Sequence, residues 1–345
     1  MKAVVFHEHG GTDQLHLEEV AEPSLAASEC LIRVRAAGCN YNDIWARRGL
    51  PGMKIILPHV SGSDAAGEVA AVGPEVRSLK VGQRVMVHPG LSCRICQACT
   101  SGNEMFCRDF KIWGFQTGPN DGAYAEMARL PEANLLPIPE SLSFEEAASL
   151  PLVLETTWRM LVTRAQIAAG DVVLIWGGAG GLGVMAIQVC RLWGAVPVAV
   201  VSSDEKAGLA RSLGATHVID RTKEDVVART REITGRRGVD IVFEHVGDAT
   251  WPQSAAALKW GGTIVVCGGT TGFNAATDLR FLWNKQQNYL GSHLGTKAEL
   301  VEALRFVSSG QIKPVVDQVF PLGEAAQAQT RMESDAAAGK LILVP

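Results

Sequence analysis

Two groups of residues in this 345-residue chain have the types and spacing of chemical sites. The first is Gly178-x-Gly180-x-x-Gly183, with Gly181 and Leu182 inside it, which comes after the apolar, β-branched run Val172-Val-Leu-Ile175 and leads into an apolar helical pattern. A strand, a tight turn and a helix start in that order let the backbone lie against a pyrophosphate, whose charge meets free N–H groups and the positive end of the helix. Such a turn can also serve only to pack a helix on a strand; the repeated strand and helix patterns beyond Gly183 favour a dinucleotide site. The second group is Cys93-x2-Cys96-x2-Cys99-x7-Cys107, in a loop with Gly90, Ser92, Ser101 and Gly102. Four thiolates so spaced can close a tetrahedron around Zn²⁺ and leave no open position, which would make the metal structural. An iron–sulfur cluster or four free thiols are the alternatives; zinc is preferred because no redox partner motif accompanies the loop.

The elements that must position these groups differ along the chain. Beyond Gly183 strand and helix patterns alternate: Val196–Val201, a helix over Asp204–Leu213, His217–Ile219, an amphipathic Glu224–Thr234, Val239–Phe243 and Thr263–Cys267. Alternation of this kind builds a doubly wound parallel sheet with ligands at the carboxyl ends of its strands. The first 125 residues instead carry short strands (Leu31–Arg35, Glu68–Val72, Arg84–Val87, Tyr124–Ala128) punctuated by Gly and Pro. They read as an irregular β domain. A helix over Ala298–Ser308 and a strand near Leu341–Val344 close the chain. The expected fold class is α/β: an irregular β domain over about the first 125 residues, then a doubly wound parallel sheet.

Composition excludes several classes. A net charge of −4 supplies no field for a polyanion, so nucleic acid is not expected as a partner. No stretch has 18 uninterrupted apolar residues and MKAVVFHEHG lacks the apolar core of a signal peptide, so no membrane contact and a cytoplasmic location are expected. Eight cysteines in a chain of this length without a secretory signal argue against a disulfide framework.

With these motifs in place, the chain resembles the medium-chain dehydrogenase/reductase superfamily over essentially its whole length. Gly67-Glu-Val-Ala-Ala-Val-Gly73 followed by Val81-Gly-Gln-Arg-Val85 is similar to a signature of that family, with Gln83 in place of an Asp. The resemblance implies a GroES-like catalytic domain over 1–125 and 296–345, with a zinc lobe at 90–110, and a Rossmann cofactor domain over 126–295. Zinc alcohol dehydrogenases of the superfamily hold a catalytic zinc through a Cys, a His and a later Cys; the matching positions here are Asn40, Ser63 and Leu152. An amide, a hydroxyl and an aliphatic stem do not make a tight zinc site, and without that Lewis acid carbinol oxidation is difficult. Hydride transfer to a conjugated C=C bond in a quinone, enone or enoyl thioester needs less polarisation.

Asn40-x-x-Asp43 is similar to the quinone oxidoreductase branch. Longer matches, Asn40-Tyr-Asn-Asp-Ile-Trp45, Ile175 to Gly183, Ala199 to Ser203, Asp240 to His245 and Leu290 to His293, resemble crotonyl-CoA carboxylase/reductases. That resemblance implies that Asn40 and His293 line the substrate pocket, a structural role for His293 being the alternative; Asn40 is expected to hold the acceptor's carbonyl, with Tyr41, Asp43 and Ser63 as further candidates, Tyr41 being either a hydrogen-bond donor or an aromatic wall. Two departures speak against carboxylation: Gln116 stands where the carboxylating enzymes have an acidic residue, and they lack the four-Cys lobe.

For the cofactor, Val201 replaces the Asp of NAD-binding relatives and is followed by Ser202, Ser203 and Lys206, with Arg221 past the next strand. Hydroxyls and cations suit the 2′-phosphate of NADPH; the alternative is that Ser203 only caps a helix while Asp204 takes the ribose. The resemblance further implies cofactor contacts from Thr156, Leu182, Glu244, Gly268, Gly269 and Ser292. The expected activity is NADPH-dependent reduction of an activated C=C bond in a small-molecule substrate, by a homodimer or homotetramer with one structural zinc. Alternatives are an alcohol or aldehyde dehydrogenase and a non-catalytic NADPH-binding sensor.

Overall fold

Glu29–Gly38 is the strand on which the first part of the molecule is built. Its sequence ECLIRVRAAG alternates, so that Cys30, Ile32 and Val34 are buried while Arg33 and Arg35 face water, and from Ala36 onward every residue is buried. The strand therefore ends inside the protein and delivers Cys39 and Asn40 there. It belongs to a seven-stranded sheet ordered Leu135–Pro137, Arg84–Val87, Asp64–Val72, Glu29–Gly38, Lys340–Val344 and Val316–Pro321, with Met127–Pro131 also pairing on Glu29–Gly38. Antiparallel register sets Gly38 opposite Asp64 on one side and opposite Ile342 on the other.

The second sheet has six strands, all parallel, in the order His217–Asp220, Val196–Val201, Val172–Ile175, Val239–Glu244, Leu258–Val266 and Asn288–Gly291. Val172–Ile175 and Val196–Val201, inside the sheet, are near-continuous apolar runs because helices cover both faces of such a sheet. The fold is α/β as expected, with a GroES-like β-rich unit and a Rossmann-like parallel sheet.

The computed structural model describes residues 1–345 and divides into Met1–Leu152 with Thr296–Val301 and Pro314–Pro345, and Val153–Gly295 with Glu302–Lys313. The boundary expected at 125/126 thus falls at 152/153. Residues 127–137 are strands of the first sheet, and the helix Phe144–Ala148 packs on Glu29–Gly38. Residues 302–313, expected with the catalytic domain, pack in the second unit: the Phe306 ring lies 5.4 Å from that of Trp158, and Gln188 exchanges hydrogen bonds with the Lys313 backbone. No helix is long and apolar enough to cross a membrane.

The glycine turn after Val172–Ile175 shows which glycines serve packing. A Cβ on Gly183 would lie 2.1 Å from the Gly177 carbonyl oxygen and 2.7 Å from the Gly178 Cα, atoms that cannot yield. On Gly180, whose φ is −79°, it would meet nothing nearer than the Gly177 oxygen at 3.4 Å. Gly183→Ala is therefore expected to cost about 1–3 kcal/mol, as overpacking does, whereas Gly180→Ala retains the parent's stability. Thermal melting of both variants checks this; equal melting temperatures would contradict it.

Candidate functional site

In the first unit, Asn40 closes the strand Glu29–Gly38 and starts the helix Tyr41–Arg48. Its backbone N–H donates to Asp43 Oδ2 at 2.8 Å, three residues into the helix, which satisfies one of the helix's free donors. The Asn40 side chain is fully engaged. Its Nδ2 donates to Asp64 Oδ2 at 2.8 Å and faces the Gly38 carbonyl at 3.4 Å, and its Oδ1 accepts from Lys340 Nζ at 2.6 Å. The Lys340 ammonium also donates to the Cys39 carbonyl at 2.7 Å and pairs with Asp64 Oδ2 at 3.2 Å. Lys340 is 3% exposed and Asp64 fully buried, so this is a buried ion pair with its remaining bonds satisfied. Asp64 Oδ1 takes the Leu152 N–H at 2.8 Å.

Asp43 is the second buried carboxyl. It accepts from the Tyr124 hydroxyl at 2.9 Å and the Gly62 N–H at 3.1 Å, which binds the loop before Ser63 to the start of the helix. Burial is the largest influence on it and pushes its pKa up to about 7, against the pull of its donors and of Lys340. Ser63 accepts from Asn42 Nδ2 at 2.8 Å. Tyr41 packs edge-on against Trp45 with ring centroids 5.4 Å apart. Asn40, Asp43 and Ser63 lie together, and both hydrogens of the Asn40 amide are turned to Asp64 and Gly38, so neither is left to hold a substrate carbonyl. Asn42, Asp64, Tyr124 and Lys340 were not singled out from the sequence. Asn42 lay inside the Asn40–Trp45 match, and Lys340 stood out as a lone cation opening an apolar final strand.

The four-Cys loop, in the same unit, brings Cys93, Cys96, Cys99 and Cys107 Sγ atoms within 4.8 Å of one another. The Cys93–Cys99, Cys96–Cys99 and Cys93–Cys107 sulfurs are 3.9, 3.5 and 3.5 Å apart. Tetrahedral Zn–S bonds of about 2.3 Å require S···S edges of about 3.8 Å, so the donor set fits that ion. All eight cysteines are free thiols.

In the second unit the expected cofactor residues lie at or just beyond the carboxyl ends of the parallel strands, apart from Thr156, which lies in the helix Pro151–Trp158. The helix Gly181–Leu192 starts at Gly180, with Leu182 in its first turn. Ser203 caps the helix Asp204–Ser212 by accepting the Lys206 N–H at 3.3 Å, and Lys206 Nζ reaches Ser202 Oγ at 3.2 Å although Lys206 is only 7% exposed. The cap and the ammonium thus coexist. Asp204 Oδ1 pairs with Lys223 at 2.7 Å, and Arg221 begins the turn after His217–Asp220.

Glu244, fully buried, spends its carboxylate on the N–H groups of Val246 and Gly247 at 2.7 and 3.1 Å and on the Thr250 and Ser254 hydroxyls. It orients the turn and leaves little for a ligand. Thr156 Oγ1 and Ser292 Oγ, by contrast, are buried atoms with no protein partner. Gly268 and Gly269 follow the strand Leu258–Val266, and His293 follows Asn288–Gly291, where burial first and the Arg159 charge second lower its pKa and keep it neutral.

Comparison with known proteins agrees with this layout. The model of the alcohol dehydrogenase GroES-like domain matches residues 26–140 and that of the zinc-binding dehydrogenase matches 181–309. The chain is 36% identical to the crotonyl-CoA carboxylase/reductase of Cereibacter sphaeroides, over 96% of this chain and 83% of that one. A solved NAD-dependent alcohol dehydrogenase superposes with a TM-score of 0.95 at 37% identity, covering 100% of both chains. A solved crotonyl-CoA carboxylase/reductase in complex with NADP superposes at 0.91 with 33% identity, covering 100% of this chain and 94% of that one. The chain belongs to the medium-chain dehydrogenase/reductase superfamily. It is an NAD(P)H-dependent oxidoreductase, and related enzymes act on small molecules such as CoA thioesters.

The raised pKa of Asp43 has a consequence for stability. Between about pH 4 and pH 7 the unfolded chain gives up this proton while the folded one retains it, so this carboxyl favours the folded state at low pH and the benefit is lost as pH rises through 7. Asp43→Asn, which cannot ionise, is expected to flatten the fall in stability between pH 4 and pH 8. Urea denaturation of parent and variant across that range checks it; parallel curves would show that Asp43 ionises freely in the fold.

Proposed function

We propose that this enzyme uses NADPH to reduce an activated carbon–carbon double bond, in a quinone, enone or 2-enoyl thioester, with no catalytic zinc. The observation that carries the reading is the buried Lys340 ammonium, bonded to Asn40 and paired with Asp64. A fixed cation already contacts the residue that stands where the superfamily's zinc enzymes have a ligating Cys. A divalent ion beside it would meet charge repulsion, and Ser63 and Leu152 offer a hydroxyl and a hydrocarbon in place of the other ligands.

When bound, NADPH would supply a hydride equivalent to the β-carbon of a carbonyl-conjugated acceptor and leave as NADP⁺, with a proton from water completing the reduction. The names of the crotonyl-CoA relatives support an enoyl acceptor. Reduction without carbon dioxide fixation is favoured by Gln116, whose side-chain oxygen is turned back to accept the Ile112 N–H at 2.8 Å. The second reading, an alcohol or aldehyde dehydrogenase, has the similar NAD-dependent alcohol dehydrogenase structure in its favour. Exposed Trp260, Leu279 and Trp283 are consistent with self-association through the second unit.

The deciding assay measures NADPH oxidation with a quinone, an enone and crotonyl-CoA, beside NAD(P)⁺ reduction with a panel of alcohols. Turnover of alcohols alone would replace this reading by the second one. NADPH is expected to be preferred to NADH because the Ser202, Ser203 and Lys206 group presents hydroxyls and a cation, while Lys223 draws the Asp204 carboxylate aside. Losing one charged bond to a phosphate weakens binding by about tenfold to a hundredfold. Lys206→Ala should narrow the NADPH preference by that factor in cofactor titrations; an unchanged ratio would put the 2′-phosphate elsewhere.

For the metal, one zinc per chain is expected at Cys93, Cys96, Cys99 and Cys107. Its removal should lower the melting temperature without changing the turnover of the molecules that stay folded. Two zincs per chain by metal analysis would end both the count and the argument against a catalytic ion.

A further inference from the structure

Three side-chain bonds tie the start of the helix Tyr41–Arg48 to the segment Gly62–Asp64 in a short ladder. Asn40 bonds Asp64, Asn42 bonds Ser63, and Asp43 bonds the Gly62 N–H. The outer rungs are saturated: Asn40 is taken by Asp64, Gly38 and Lys340, and Asp43 by three donors. The middle rung is not. Asn42 is 8% exposed and Ser63 fully buried, yet the second polar atom of the Asn42 amide has no partner.

Exchanging the amide's oxygen and nitrogen, which are assigned by their surroundings, does not remove the deficit. With Nδ2 toward Ser63, the Asn42 Oδ1 has no donor, and the second N–H of Asn42 and the Ser63 O–H are also unengaged. With Oδ1 toward Ser63, the hydroxyl is satisfied and both N–H groups of Asn42 are unengaged. Either way two buried donor hydrogens are left over, on a rung held rigidly from both sides. Buried polar groups are paired almost without exception, and two spare donors in one place suit an oxygen that gains negative charge.

We propose that the Asn42 carboxamide, steadied by Ser63, binds the carbonyl oxygen of the acceptor and holds the charge that develops there as hydride reaches the β-carbon. Asn40, Asp43, Asp64 and Lys340 are then positioning residues that fix the rung. This rests on the proposed reduction of a carbonyl-conjugated acceptor.

The test is steady-state kinetics of the parent, Asn42→Ala and Asn42→Asp with NADPH and a quinone, an enone and crotonyl-CoA, beside NADPH titration and thermal melting. Removing a donor aimed at developing charge lowers kcat by about 10² to 10³, so Asn42→Ala should fall by that factor with NADPH affinity unchanged. Asn42→Asp keeps the shape but donates only when protonated; it should lose activity as pH rises, with a profile the parent lacks. A purely structural role would not produce that profile, and if Asn42→Ala fails to fold, the Asn42→Asp profile decides. An Asn42→Ala enzyme with the parent's kcat, or an Asn42→Asp profile matching the parent's, overturns the inference and leaves the proposed function standing. A parent that oxidises NADPH with none of the acceptors overturns the proposed function, and this inference with it.

Discussion

The first unit depends on one buried charge. Taking an ammonium out of water costs several kcal/mol, and it is tolerated only where geometry and hydrogen bonds compensate it. Lys340 finds the Cys39 carbonyl, the Asn40 amide oxygen and the Asp64 carboxylate, so its three donors are spent on three partners. Those partners lie at the end of one strand, the start of a helix and the start of another strand, while Asp64 also holds the Leu152 backbone. Loss of Lys340 or Asp64 leaves the other charge buried and uncompensated. The segments that meet there are thereby held in one arrangement, and the Asn42–Ser63 rung inherits that rigidity.

Hydrogen-bond satisfaction also separates two kinds of polar residue in the second unit. Glu244 sits at a strand's carboxyl end, where ligands bind in such sheets, but its oxygens are consumed by backbone N–H groups and hydroxyls, so it shapes a turn. Thr156 and Ser292 retain unpaired buried oxygens, and Gly180 leaves open space where its neighbour Gly183 leaves none. Residues with something left over are those available to a cofactor.

The four-Cys loop is held in a different way. Ile95 is 85% exposed and Phe106 70% exposed, so hydrophobic burial contributes little between Cys93 and Cys107. Secondary structure is also sparse there, a single four-residue helix and a three-residue turn. A segment so short of core needs a local cross-link, and sulfurs at tetrahedral separations can provide one through a metal.

The sequence by itself determined the features that depend on neighbouring residues. The parallel strands Val196–Val201 and Val239–Glu244, the glycine turn and the cysteine spacing were all legible, because β-branched runs, glycines and closely spaced thiols act over a few positions. Domain limits were less legible: whether residues 126–152 belong to one unit or the other is decided by pairing with strands roughly a hundred residues earlier, which local pattern does not encode. The site was hardest to read. Asn40 and Asn42 are two asparagines in one motif, of equal chemical promise, and no local signal ranks them. Only the tertiary structure did so, by bringing Lys340, 300 residues away, onto the first and leaving the second with donors unspent. A hydrogen bond's capacity is used once, and which partner uses it is a property of the folded chain.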